Sequence, residues 1–322
     1  MPRPTSATTL QRPDLAALAW EYSVNAPMQG FIGTQILPTF SVSEQSADYP
    51  VIPIEAILKL KDTQRSPRGA YNRSDYEFET DTYACKENGW EELVDDVERK
   101  LYAQYFDAES VATIRATDAL LRRQEKRVAD LVFSTGNVTN CANVSTEWST
   151  ASACTPRSDV MDAKDTLRKA TGIIPNAGAC SYTVFNNLMH SKEIQDVFQY
   201  TAPIQTMNTQ AQINVLAQYF QLDYLLIGGA QYDSTKKGQS FSLSDLWDDE
   251  YFLLFKRAGD APNLMEPCLG RTFMWTPDAP SLVVAESYRD EERRSDVYRV
   301  RQYTDEELVF AGAGYILANI TA

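Results

Sequence analysis

The sequence contains one histidine, His190, and this scarcity argues against catalytic and metal sites that depend on histidine. A Ser-His-Asp or Cys-His site would depend on that residue, and the chain has no G-x-S-x-G motif. Histidine-based zinc sites are excluded by the count, and the five cysteines lack C-x-x-C spacing. We therefore predict no catalytic residue, no metal and no cofactor, and we place His190 at the surface.

Long apolar runs and an excess of positive charge are also missing. No run is long enough to span a bilayer, and residues 1–11 lack the apolar core of a signal peptide. The formal net charge of −14 argues against binding nucleic acid through its phosphates. The odd number of widely spaced cysteines is typical of buried free thiols in a reducing cytosol. The sequence thus predicts neither a membrane partner nor specific binding of nucleic acid.

The first fifty residues are interrupted by six prolines, which restrict the backbone and oppose long helices. A short amphipathic helix is predicted over 13–24, and the apolar residues of 31–40 are numerous enough to dock on another surface. We interpret residues 1–50 as an arm that is anchored at points along its length.

A hairpin is predicted next, because residues 51–61 and 76–86 have strand-like patterns on either side of a polar tip at 62–75. A lone hairpin with a charged tip is marginal in water. We therefore expect another protein surface to receive it, and the most economical candidate is a second copy of the same chain.

Residues 107–133 have the clearest helical period, and Asp107 is a plausible N-cap. The predicted apolar stripe contains Val111, Ile114, Leu121, Val128 and Val132. The predicted polar face contains Arg115, Arg122, Arg123, Glu125 and Lys126.

The remaining chain predicts a compact α/β unit followed by long strands. Helices are expected at 158–171, 186–198 and 209–220, with strands at 179–185, 222–227 and 251–255. Further strands are expected at 281–287, 295–303, 308–310 and 314–320.

One charge contrast rises above background. Residues 59–73 carry five basic side chains and one acid, whereas residues 87–98 carry six acids and no base. The tip of an extended hairpin reaches the root of a neighbouring copy more easily than its own, which is a head-to-tail contact that closes rings. The bland alternative is that both stretches are solvated loops. The predicted inter-subunit residues are Arg65, Arg68, Arg73, Glu91, Glu92, Asp95 and Asp96.

Several groups of motifs in this order resemble the major capsid proteins of tailed bacteriophages, which have the HK97-type fold. The matching motifs are Ile36-Leu37-Pro38, Thr80-Asp81-Thr82-Tyr83, Leu120-Leu121-Arg122-Arg123, Thr171-Gly172-Ile173-Ile174-Pro175-Asn176, Leu243-Ser244-Asp245-Leu246-Trp247, Arg271-Thr272-Phe273-Met274-Trp275 and Gly312-Ala313-Gly314-Tyr315.

The resemblance implies an α+β fold with four parts. Residues 1–50 would be the N-terminal arm, and 51–90 the extended E-loop. Residues 91–157 and 282–310 would be the peripheral P-domain with its long spine helix, and 158–281 and 311–322 the axial A-domain.

The resemblance also implies a function without catalysis. The chain would be a structural subunit that assembles into hexamers and pentamers of an icosahedral virion shell around DNA, inside the host bacterial cytoplasm. Because the arm begins within the first residues, we expect a separate scaffolding protein, together with a portal and a possible decoration protein. Two alternatives stay open: an acidic hydrolase that uses paired carboxylates, and a tail or accessory virion protein.

Overall fold

The structure is a computed structural model that describes residues 10–11, 15, 19, 30–51, 58–73, 79–103, 107–199, 207–236, 238–259 and 266–321. The helices of these residues are α1 Gly33–Ile36, α2 Asp96–Tyr102, α3 Ala108–Val132, α4 Pro156–Thr171, α5 Tyr182–His190, α6 Lys192–Phe198 and α7 Thr209–Tyr219. The strands are β1 Leu10–Gln11, β2 Thr39–Val42, β3 Ser46–Val51, β4 Glu79–Ala84, β5 Lys86–Asp95, β6 Asn140–Asn143, β7 Ala177–Ser181, β8 Tyr224–Gly228, β9 Gln231–Asp233, β10 Leu243–Asp245, β11 Phe252–Phe255, β12 Arg271–Trp275, β13 Val284–Asp290, β14 Ser295–Glu307 and β15 Gly314–Ala318. No helix within these ranges is both long and apolar enough to cross a membrane.

The larger sheet is organised around β14, which is 13 residues long. Its strand order is β1-β13-β14-β12-β2, and β5 also pairs with β14. The β5 ladder is antiparallel and runs from Lys86 opposite Thr304 to Asp95 opposite Ser295. The acidic stretch that we predicted as the root of the hairpin is therefore mostly a regular strand.

The second sheet has the order β6-β15-β11-β7-β8 and lies between two apolar cores, with the main core on one face and a second core on the other. All residues of β7, β11 and β15 are buried, as strands covered on both faces require. Helices α4, α5 and α7 contribute their apolar faces to the second core. Gly172 ends α4 with a left-handed φ of 72°, which confirms the predicted stop.

The long helix α3 begins where the sequence predicts. The Asp107 side chain accepts hydrogen bonds from the backbone N–H groups of Glu109 and Ser110. Two predicted positions are wrong. Val111 is exposed, whereas Glu125 is buried with only 4% of its surface accessible, because it lies on the same face as Leu121 and Val128.

Several predicted boundaries also need correction. The predicted helix at 186–198 begins earlier, since Ser181 caps α5 by accepting a hydrogen bond from the backbone of Val184, and it is divided at Ser191. Residues 288–290 belong to β13 rather than to a connection, and 308–310 form no strand. The hairpin pairs β3 with β4. The second strand lies within the predicted 76–86, whereas the first ends at Val51 and so lies before the predicted 51–61. Residues 59–61 are not a strand, and 52–57 lie outside the described residues.

The N-terminal arm is only partly described. Leu15 and Ala19 are helical and buried, and the rest of the predicted helix at 13–24 lies outside the described residues. The predicted domain limits stay a prediction. We note that β12 and β13 lie on opposite sides of the limit at 281/282 and belong to the same sheet.

Candidate inter-subunit surface and its support

Residues 58–73, which we call the tip, have a defined turn but little covering. The Arg65 Nε atom donates to the Gly69 carbonyl at 2.7 Å, and the Asn72 amide donates to the Asp62 carbonyl at 3.0 Å. The Arg65 guanidinium lies 4.7 Å from the centre of the Tyr71 ring. These bonds stay within the tip and give it shape without joining it to the two cores.

The tip is exposed at every position except Gly69, which is partly buried. Leu60 is 99% accessible and Tyr71 is 70% accessible. Leu58 lies beside Gly172 at the end of α4. A Cβ atom built on Gly172 would be 2.9 Å from the Cδ1 atom of Leu58. The tip therefore presents apolar and basic side chains to solvent, as a surface that meets another protein does.

The base of the hairpin behaves differently from the tip. Tyr49 of β3 and Tyr83 of β4 form a small buried cluster with Phe273 of the larger sheet, and the Tyr83 and Phe273 rings stack at 4.6 Å. The Ala84 N–H also donates to the Asp305 carboxylate at 2.8 Å. This packing fixes the direction in which the hairpin leaves the body of the protein.

The predicted acids Glu91 and Glu92 lie on β5 and have only loose partners. Glu91 accepts a hydrogen bond from the Tyr288 hydroxyl at 3.2 Å and lies 3.8 Å from Arg299. Glu92 accepts from the Trp90 indole at 3.1 Å and lies 3.8 Å from Arg115. In the described part of the chain β14 is the one partner strand of β5, so its other edge is open to a further contact.

The predicted acids Asp95 and Asp96 have tasks inside the subunit. The Asp95 carboxylate caps α2 by accepting from the Val97 N–H at 2.7 Å. Asp96 forms a bidentate pair with Arg289, both distances being 2.7 Å. This pair lowers the pKa of the Asp96 carboxyl and raises the pKa of Arg289. Of the four acids, Glu91 is the one that is exposed, so it is the most available to a neighbour, whereas Glu92 is half-buried but has only loose partners.

Among the described residues no hydrogen bond or ion pair joins Arg65, Arg68 or Arg73 to these four acids. Within one subunit, the arginines of the tip and the acids of the predicted contact therefore do not pair with each other. This placement neither confirms nor contradicts the contact between copies, which stays a prediction.

A second group of residues holds the N-terminal arm to the body, which confirms the predicted docking of the apolar residues of 31–40. We call residues 30–38 the strap. The Gly229 N–H donates to the Gly30 carbonyl at 3.1 Å, and the Thr272 hydroxyl donates to the Leu37 carbonyl at 2.9 Å. Between these ends the side chains of Phe31, Ile32, Ile36 and Leu37 are buried in the main core.

Glu125 stands at the centre of this attachment. Its carboxylate accepts from the Ile32 N–H at 2.6 Å, the Gly33 N–H at 2.8 Å and the Trp247 indole at 2.8 Å. Burial raises the pKa of Glu125 to about 7, although the three donors favour the charged form. One side chain therefore links the strap, α3 and the segment after β10. Its spacing from Leu121 and Val128 was the signal that the sequence offered.

The residues considered for catalysis are dispersed. His190 is exposed, as predicted, and its Nδ1 atom is 2.7 Å from the Asn186 carbonyl. Four cysteines are buried free thiols, whereas Cys141 is exposed, contrary to the prediction. Within the described ranges, no three His, Cys, Asp or Glu side chains are grouped closely enough to hold a metal ion.

Comparison with known proteins identifies the fold. The structure matches a phage-related protein from Bordetella bronchiseptica RB50 with a TM-score of 0.71 and 21% identity, covering 97% of this chain and 98% of that one. It also matches the capsid of the cyanophage P-SCSP1u with a TM-score of 0.57 and 9% identity, covering 88% and 86% of the two chains. The fold is therefore the α+β fold of HK97-type capsid proteins, as predicted.

The sequence itself leads further. The major capsid protein of Burkholderia phage BcepMu is 24% identical over 299 residues, which cover 90% of this chain and 91% of the relative. No family model matches the sequence. The relative and the solved structures together indicate a subunit of a phage capsid shell, which is a structural role.

Proposed function

We propose that this chain is the major subunit of a bacteriophage shell and that it assembles with copies of itself into hexamers and pentamers. The observation that carries the proposal is similarity along nearly the whole chain to a phage major capsid protein, together with the HK97-type fold. The acidic hydrolase considered above has no comparable support, since the buried Glu125 carboxylate already accepts three hydrogen bonds from its own chain.

The contact within a ring, in this proposal, joins the tip of one copy to β5 of the next. Arg65, Arg68 and Arg73 are exposed on the tip, and Glu91 and Glu92 lie on a strand with an open edge. Asp95 and Asp96 contribute by holding the end of β5 and the start of α2 in place. Each exposed pair is worth roughly 0–1 kcal/mol, so the set selects register and partner more than it supplies affinity.

Electron microscopy of the purified chain, alone and with a candidate scaffolding protein, tests the assembly. Closed shells or six-fold rings are the expected result. A stable monomer under every condition contradicts the proposal, and tubes without shells favour a tail or accessory protein.

Charge reversal tests the contact itself. Arg65→Glu with Arg68→Glu is expected to abolish rings, and adding Glu91→Arg and Glu92→Arg is expected to restore them by exchanging the two charges. Arg168→Glu makes the same change on α4, where Arg168 pairs with Asp165 of its own helix, and serves as the control. Normal assembly of the first variant at ordinary salt contradicts the contact.

The remaining partners follow from the proposed role. A separate scaffolding protein, a portal and a decoration protein are expected partners of such a subunit in the host cytoplasm. In this role the shell encloses DNA without binding it specifically, in accord with the net charge of −14. Co-expression with each neighbouring structural gene product, followed by sizing of the particles, tests these partners one at a time.

A further inference from the structure

Helix α2 is amphipathic, but its polar face is turned toward the body of the subunit and its apolar face toward solvent. Its inward face is polar: Asp96 pairs with Arg289 of β13 at 2.7 Å, and Arg99 pairs with Asp296 of β14 at 2.9 Å. No residue of the helix is buried. Ion pairs rather than apolar contacts therefore fasten α2 to the body of the subunit.

The outward face of α2 carries the apolar side chains. Val97 and Leu101 are one helical turn apart, and they are 68% and 63% accessible. Leu93 of β5 and Val111 of α3 are also exposed, and they line a pocket together with Glu98 and Tyr102 on the adjacent side of the helix. A surface helix normally turns this stripe toward its own core, whereas among the described residues this one is open to solvent, as an interaction surface is.

Opposite charges flank this ridge. On a helical wheel Glu98 falls on one side of the Val97–Leu101 ridge and Lys100 on the other, and both side chains are exposed. When two such helices meet face to face and run parallel, Glu98 of each lies opposite Lys100 of the other. An antiparallel arrangement would instead oppose like charges. The pattern is complementary to itself.

We propose that the outer face of α2, centred on Val97 and Leu101, packs against the same face of a second copy that belongs to an adjacent ring. The proposal rests on the proposed function, because a closed shell needs a contact between rings in addition to the head-to-tail contact within them. The ring contact uses the tip and β5, whereas α2 is a separate surface whose charges match a copy of itself.

Leu101→Asp tests the proposal without disturbing the ion pairs that hold the helix. The expected result is that rings form within about twofold of the normal yield while closed shells fall by about tenfold or more, as when a central apolar contact is replaced by a charge. Leu101→Met keeps the apolar contact and is the matched control, with shells expected as normal. Particle yields are read by electron microscopy and sedimentation.

Charge exchange tests the parallel arrangement. Glu98→Lys alone places like charges opposite one another and is expected to reduce shell yield. Glu98→Lys with Lys100→Glu restores the complementarity and is expected to recover the yield.

Two outcomes overturn the proposal. Normal shells from Leu101→Asp show that the face is not covered, and loss of rings together with shells shows that a neighbour's tip covers it instead. If the unaltered chain forms no shell or ring at all, the proposed function fails first, so the two failures are distinguishable.

Discussion

The strap and the tip both lie within the first quarter of the chain. The strap is packed into the core of its own subunit, whereas the tip is exposed to solvent. The strap, residues 30–38, is bonded at both ends and buries its four large apolar side chains in the main core. The tip, residues 58–73, carries Leu60 and Tyr71 in solvent and makes its turn-forming bonds within itself. The compositions of the two segments differ in the same direction, because the strap has no charged residue whereas the tip has five basic residues and one acid.

The difference shows where a shell subunit places its two kinds of contact. The strap and the base of the hairpin satisfy their polar groups inside one chain, so they define the folded monomer. In our proposals, the tip, the open edge of β5 and the outer face of α2 make the contacts between subunits. Changes in the strap should alter the free energy of unfolding, and changes in the tip should alter particle formation alone.

Substitution of Glu125 is expected to have the largest effect on the free energy of unfolding. Glu125→Ala leaves three buried donors without an acceptor and is expected to lower the free energy of unfolding by about 3 kcal/mol, measured by urea unfolding of the monomer. Lys126→Ala, which removes only an exposed pair with Asp130, is the control and should cost less than about 0.5 kcal/mol. Equal stabilities for the two variants would show that Glu125 does not hold the strap.

Alanine substitutions at two glycines distinguish the cost of a steric clash from the cost of backbone strain. Gly30 and Gly238 have φ values of 85° and 93°, but a Cβ on Gly30 would lie 2.7 Å from the Gly229 backbone, whereas a Cβ on Gly238 meets nothing within 4 Å. Gly238→Ala should cost about 1 kcal/mol through strain, and Gly30→Ala about 1–2 kcal/mol more through the clash. Equal melting temperatures would contradict the close seat of the strap.

The pH dependence of stability should reveal the protonation of Glu125. Its pKa is about 7 in the folded protein against an ordinary value of 4.5, so the folded state binds the proton more tightly than the unfolded state. The free energy of unfolding should therefore fall as the pH rises from about 4.5 to about 7 and level off above it.

Glu125→Gln isolates this contribution. Glu307 also has its pKa raised to about 7, by burial and by its acidic neighbours, and contributes a slope of the same sign in both proteins. The stability difference between the native chain and Glu125→Gln should consequently change across this window. A difference that is constant with pH would mean that Glu125 does not titrate there.

The smallest effect on the monomer is expected at the tip. Arg65→Glu with Arg68→Glu should change the free energy of unfolding by less than about 0.5 kcal/mol, even though the same variant is expected to abolish rings. A large loss of monomer stability would show that the tip is part of the folded core and would remove the contrast with the strap.

The sequence predicted the parts of this fold that depend on local pattern. Asp107 as the cap of α3, the stop at Gly172 and the helix α7 follow from capping and periodicity, and the structure confirms them. The charge contrast between the tip and β5 was also legible in the residues alone, although its meaning is still a prediction.

The features that the sequence analysis missed depend on distant partners. Glu125 was placed on the exposed face because it is charged, and only the arrival of Ile32, Gly33 and Trp247 makes its burial tolerable. The reversed face of α2 was hidden for the same reason, since Asp96 and Arg99 turn inward to reach partners on β13 and β14.

Hydrogen–deuterium exchange of the monomer and of assembled particles tests the central contrast most directly. Backbone amides of residues 31–37 are expected to be protected in both states, whereas amides of residues 58–73 and of α2 are expected to exchange quickly in the monomer and slowly in particles. Fast exchange of the tip and α2 in assembled particles, or of the strap in the folded monomer, would contradict it.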